Sequence, residues 1–291
     1  ASDVYKRQLI GSTVTSISDN GNAVVGSKPT DLLHVMFTRN KTHVQLRQVN
    51  TDYITGSTQI DEALRKSTLG AIISNQKIQA YNNDSTAIVF DMTGVFLSDN
   101  KKMSPFDRNS IYGMYNRTEN YQSDCSYISQ IKAFKDNVSI KSCLSYTFSV
   151  SNSQGTSLIK DRPFTAEMTR SIMLLKEKPY RPRMADYRIG VFFTGREQLG
   201  EGAKTTAPVY YANRWDIQPS DTAAYLCGEK VKPTKQIVFY IDNTFPEKWK
   251  PYLREGVTQW NELFEQIGFK DVVAAKDFPT DDPEFDPDNI K

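Results

Sequence analysis

"QIVFYIDNTFPEKWKPYLREGVTQWNELFEQIGF", residues 236–269, holds a strand, a break and a helix, and it decides what kind of unit closes the chain. Ile237, Phe239 and Ile241 alternate with Val238 and Tyr240, so the strand is apolar on both faces, as expected for one covered by a helix. Asn243-Thr244 is the break. Pro246 and Pro251 are tolerated only in the first turn of a helix, which places the regular start near Lys250. Leu253, Val257, Trp260, Phe264 and Ile267 then recur at helical spacing and are expected to face a core. Gly268 is placed to stop the helix in a left-handed turn, with Phe269 folding back on it.

Upstream, from Leu9 to Lys178, the periodicity is different. Strand patterns alternate with turn signals, which predicts an antiparallel sheet with one buried face. In "DLLHVMFTRNKTHVQLRQV" (31–49), a two-residue turn at Asn40-Lys41 predicts pairs Phe37–Val44 and Val35–Leu46. With Leu33 these make an apolar face, and His34 and His43 lie on the other. A second hairpin (77–92) turns at Asn82-Asn83-Asp84. A third (128–150) turns at Asp136-Asn137, and its return strand sets Val138, Ile140, Leu144, Tyr146, Phe148 and Val150 on one side. "FTAEMTRSIMLLKEK" (164–178) is a further strand candidate. "STQIDEALRKS" (57–67) reads as a helix capped by Ser57 or Thr58. Pro179 and Pro182 favour an extended connector.

The expected architecture is therefore α+β. A β-rich domain spans 9–178, a connector spans 179–235, and 236–291 opens a second, incomplete α/β domain. "DVYKRQ", Asp3 to Gln8, matches a translated sequencing-library adaptor, so residues 1–8 are set apart from the fold. With a net charge of +2 in 291 residues, composition gives no reason to expect nucleic acid or an acidic membrane surface. No apolar run approaches the ~20 residues of a membrane span. No export signal is visible in this chain.

The chemistry-bearing residues are few. His34 and His43 are the two histidines. In the predicted hairpin they stand roughly 13 Å apart at ~3.3 Å per residue, whereas zinc ligands sit ~2.1 Å from the ion. They are read as solvent-facing histidines. There is no HExxH, GxSxG, P-loop or GxGxxG. Cys125, Cys143 and Cys227 form no CxxC pair, and a Cys125–Cys143 bridge across a hairpin stays open beside free thiols. The tail "KDFPTDDPEFDPDNIK" offers Asp281, Asp282, Glu284, Asp286 and Asp288 as oxygen ligands for calcium. It lacks an EF-hand's Gly and terminal Glu, and a solvated connector is the preferred reading. Arg181, Arg183 and Arg188 near Asp186 are expected to anchor the connector by bidentate pairs. No catalytic, cofactor-binding or metal-binding residue is assigned, and the isolated chain is expected to be inactive.

The words "IVFYIDNTFPEKWKPYLREGVTQWNELFEQIGFKDVV" and "PEFDPDNIK" resemble the start of the zincin catalytic domain in large exported Bacteroidetes-type zinc-dependent metalloproteases. "KPYRPRMADYRIGVFFT" and "YYANRWDIQPSDTAAYL" look like that family's connector. In the family the HExxH helix lies downstream of the point this chain reaches. The resemblance implies a parent that hydrolyses peptide bonds with zinc, in the periplasm or at the cell surface. It also implies a partner in the downstream zincin domain and a protein or peptide substrate. It transfers no zinc ligand and no general base to any position here. Trp260, Phe264 and Val257 become core residues behind the catalytic sheet. The alternative is a non-enzymatic surface module that binds protein or glycan through its aromatic-rich sheet.

Overall fold

The computed structural model describes residues 6–175, 180–200, 206–280, 282 and 285–289. The chain divides into two compact units. One is Ala1–Pro179, Gly195–Tyr210 and Pro287–Lys291, and the other is Tyr180–Thr194 and Tyr211–Asp286.

The first unit contains β1 (Arg7–Ile17), β2 (Leu33–Arg39), β3 (His43–Gln48), β4 (Tyr53–Thr55), α1 (Thr58–Ser67), β5 (Ala71–Tyr81) and β6 (Ile88–Phe90). It continues through α2 (Thr93–Phe96), β7 (Asn116–Tyr121), β8 (Tyr127–Ala133), β9 (Asn137–Ser151) and β10 (Ser157–Leu174). These strands build a curled antiparallel sheet in the order β6-β5-β3-β2-β1-β10-β9-β7, and β8 pairs with the other half of β9. β11 (Phe193–Leu199) and β12 (Ala207–Ala212) cross the division between the units, and β11 pairs in parallel with β4 through Glu197 and Tyr53.

The inner face of the sheet carries two adjoining apolar clusters. Val14, Leu144, Phe148, Phe164 and Met168 anchor one, and Ile10, Val35, Leu46, Phe96 and Met103 the other. A fully buried Leu or Phe side chain contributes about 1.5–3 kcal/mol. The segment from α2 to the short helix Lys101–Met103 therefore serves as a lid on the sheet. Its Val95, Phe96 and Met103 are nearly inaccessible to solvent.

Two hairpin registers differ from expectation. In the first, Phe37 faces Leu46 and Arg39 faces Val44, so the turn is Lys41-Thr42. Asn40 causes the displacement, because its Oδ1 accepts from the amides of Thr42 (2.9 Å) and His43 (2.8 Å) and so closes the loop after it. The move preserves parity, and Leu33, Val35, Val44 and Leu46 are still buried together. In the third hairpin Ala133 faces Val138, which leaves Lys135-Asp136 as the turn. Asn137 belongs to the strand instead: it is buried, and its Nδ2 donates to Ser171 Oγ and to the Asp288 carbonyl. Arg7 and Gln8 also have ladder partners, Gln8 facing Leu174 on one side and Val35 on the other. Ser57 takes the N-cap position of α1 with an extended backbone and no side-chain cap bond.

The second unit contains α3 (Thr222–Leu226), β13 (Ile237–Ile241), α4 (Lys250–Thr258), α5 (Trp260–Gln266) and β14 (Val273–Asp277). β13 and β14 pair in parallel, Ile237 with Val273 through Ile241 with Asp277, so strand, helix and strand form one crossover. The expected single helix is interrupted at Gln259. Asn261, in the first turn of α5, ties that helix to the second strand. Its side chain donates to the Val273 carbonyl (2.9 Å) and accepts from the Val273 amide (2.8 Å), pinning the start of β14. Gly268 has φ +87°, and a Cβ there would meet the Tyr225 ring at 2.9 Å. Phe269 returns as expected, its amide donating to the Phe264 carbonyl.

The helical apolar residues fall on two stripes. Val257 and Phe264 pack on the core formed by Val231, Phe269, Val272 and Val273. Trp260 and Ile267 do not, being 60% and 57% exposed. They join Trp249, Tyr252 and Leu263, all more than half exposed, at i, i+3 and i+4 spacing along the outside. Trp260, expected behind the sheet of a complete catalytic domain, is therefore outside the core that this chain itself forms. Ile217, Ala224 and Tyr225 pack into the same small core, so residues expected to form a connector supply part of it.

Candidate functional site

On the outer face of the large sheet, an open groove of about 610 Å³ lies between β1, β2, the loop 49–52, the end of α1 and β11. Its size suits a small organic ligand. Strand alternation explains its floor: Leu33 and Val35 point into the core, so His34 points out, beside its ladder partner Leu9. Arg196 of β11 reaches the same groove, as do Leu32, Asp52 and Leu69.

His34 is half-buried rather than freely solvated, which corrects the expectation for this residue. Burial lowers its pKa below 6.5, and the Arg7 and Arg196 guanidiniums reinforce that direction. It is consequently a neutral imidazole at neutral pH. Its backbone carbonyl accepts from the Val49 amide at 2.8 Å, which fixes the loop that forms the wall. His43 stands at the hairpin tip, its Nδ1 2.8 Å from Thr42 Oγ1.

A second concavity of about 400 Å³ runs along β7 and the adjoining ends of β9 and β10. Its cation, Arg117, is already occupied. It pairs with Glu119 at 3.0 Å and stacks over the Phe106 ring at 4.7 Å. The outer groove is the better candidate because the hydrogen-bonding capacity of its cation is largely unspent. Arg196 donates to the Gly195 carbonyl and to no carboxylate among the described residues.

Arg170, in the core, was not singled out from the sequence. It lies in register between Ser12 and Ile140 and is 2% exposed. One Nη donates to the Met103 carbonyl at 3.1 Å, while Nε and the other Nη have no partner. Burial pushes its pKa down to about 10, opposed by Tyr146 and Tyr121. The signal was present: β10 runs Phe164, Ala166, Met168, Arg170 at period two, which puts the guanidinium on the buried face.

The remaining candidates are dispersed. All three thiols are free, with Cys143 buried and Cys125 and Cys227 exposed. Arg188 makes the expected bidentate pair with Asp186, but Arg181 instead offers its carbonyl to Arg214. Asp281 and Glu284 of the acidic tail lie outside the described residues. Asp288 is held by Lys132 at 2.8 Å. Among the described residues no three His, Cys, Asp or Glu side chains gather as a metal site, and no helix is long and apolar enough to cross a membrane.

The fold and groove define a β-rich protein whose curled antiparallel sheet carries a mixed polar and apolar groove on its outer face. The chain belongs to the family described as Domain of unknown function (DUF5117), which matches residues 26–220. That span includes β2 to β12, and so nearly every residue lining the groove. Comparison with curated proteins and with solved structures finds no match to either.

Proposed function

We propose that this chain is a non-catalytic N-terminal region of a zinc-dependent metalloendopeptidase, in which the large sheet acts as accessory scaffold for a hydrolytic domain continuing beyond Lys291. The observation that carries this reading is the second apolar stripe of α4 and α5. A two-stranded parallel sheet with Trp249, Tyr252, Trp260, Leu263 and Ile267 exposed beside it buries too little to be a finished α/β domain. Parallel sheets are normally covered on both faces; among the described residues this one is covered by α4 and α5 of its crossover and by Ala224 and Tyr225 of the five-residue α3. The sequence resemblance to the opening of a zincin domain supports the same reading.

In that domain, zinc would supply a Lewis acid and an activated water. No residue of this chain is assigned to hold it. Export to the periplasm or cell surface belongs to the same proposal. The test is the zinc content and chelator-sensitive proteolysis of the gene product extended beyond Lys291, set against the same assays on the 291-residue chain. An extended protein without zinc would instead favour the binding-module reading.

A further inference from the structure

The outer groove is lined by two chemically different sets of side chains. Arg196 lines the groove with His34, and Arg7 stands two residues before Leu9, the ladder partner of His34, on the same strand; neither guanidinium pairs with a carboxylate among the described residues. Asp52, the one carboxylate in the lining, is exposed and makes no ion pair with Arg196 among the described residues. Arg47, on the same face of the sheet, is committed to the Gly70 carbonyl and the Gln45 side chain. The anion-attracting charge is therefore Arg196 in the lining, with Arg7 adding to the positive field at His34. In the same lining Leu32 and Leu69 are 55% and 75% exposed, and Leu9 lies beside His34. Exposed leucines beside an arginine that pairs with no described carboxylate, in one concavity, form a surface complementary to a molecule with a negative head and an apolar body.

We propose that this groove binds an organic carboxylate bearing an apolar side chain, such as the end of a peptide, with Arg196 and His34 at the carboxylate and Leu9, Leu32 and Leu69 around the apolar group. The proposal does not depend on the protease reading. A carboxylate entering here offsets the two guanidiniums that disfavour the imidazolium, so binding draws a proton onto His34. Arg196 supplies the directed, charge-assisted hydrogen bonds. His34 then changes from a neutral wall to a second cationic donor.

N-acetyl-leucine is the probe, added to the full chain while the histidine ring signals are followed by NMR across pH. The signal lost in His34→Gln identifies the residue. N-acetyl-leucine should bind saturably and move the His34 midpoint upward, while N-acetyl-leucine amide should do neither. Arg196→Gln should weaken binding about tenfold or more with an unchanged circular dichroism spectrum. Leu69→Ser, at an exposed position that folding tolerates, should weaken N-acetyl-leucine but not acetate. No saturable change at His34, or equal responses to acid and amide, would overturn the proposal. So would inorganic phosphate binding as tightly as N-acetyl-leucine.

Discussion

The alternation that makes β10 a core strand does not stop at Met168, and its next inward position is a guanidinium. Arg170 satisfies one hydrogen bond with the Met103 carbonyl and so ties the lid segment to the sheet, yet it leaves two nitrogens unpartnered. A buried cation with no carboxylate costs stability. The sign comes from its folded pKa of about 10, which burial holds below the ordinary value of an arginine. Between those values the unfolded chain binds more protons, so the cost is present throughout neutral pH and is relieved only as pH rises through about 10. Arg170→Met should therefore raise unfolding stability by about 1–3 kcal/mol in urea melts at pH 7; a loss of stability would mean the Met103 tie outweighs desolvation. His34 gives the acid-side counterpart. Its folded pKa lies below the 6.5 of the free side chain, so stability falls as pH drops below 6.5. Melts of His34→Gln should be flatter over that window than those of the wild type, and parallel curves would contradict the assignment.

At the scale of elements, the two stripes of α4 and α5 make opposite predictions. Phe264→Ala opens the small core around Phe269 and Val272 and should cost about 2–4 kcal/mol in the stability of this unit, read by hydrogen exchange at β13 and β14. Trp260→Ala, at an exposed position, should cost within about 0.5 kcal/mol. Equal effects would remove the distinction between the stripes. Much of this level was legible in the sequence. Period two gave the hairpins and their buried faces, Pro251 set the start of α4, and Gly268 ended α5. The features that escaped depend on side chains bonding to distant or local backbone. The Asn40 and Asn137 amides move their turns by one residue, and Asn261 recruits β14, whose short "VAAKD" carries no strong strand pattern. The groove was legible only in part, since His34 reads as outward-facing but its neighbours Arg196 and Leu69 come from elements that periodicity cannot bring together.

At the scale of the whole molecule, two units with cores of unequal size share one chain. The nine-stranded unit buries two apolar clusters beneath its own lid, whereas the second gathers one cluster of four buried apolar residues and exposes Trp249, Tyr252 and Trp260. Local opening should track that difference. Limited proteolysis should cut within Tyr211–Asp286 well before the large sheet, and equal protection of the two would contradict an unfinished α/β unit. The central claim is that this polypeptide frames a zinc-dependent hydrolytic centre without holding the metal. Its most direct test is the zinc stoichiometry of the purified proteins by elemental analysis. The account predicts a negligible amount in the 291-residue chain and one ion per molecule in the product extended past Lys291. Tightly held stoichiometric zinc in the 291-residue chain itself, or none in the extended protein, would contradict it.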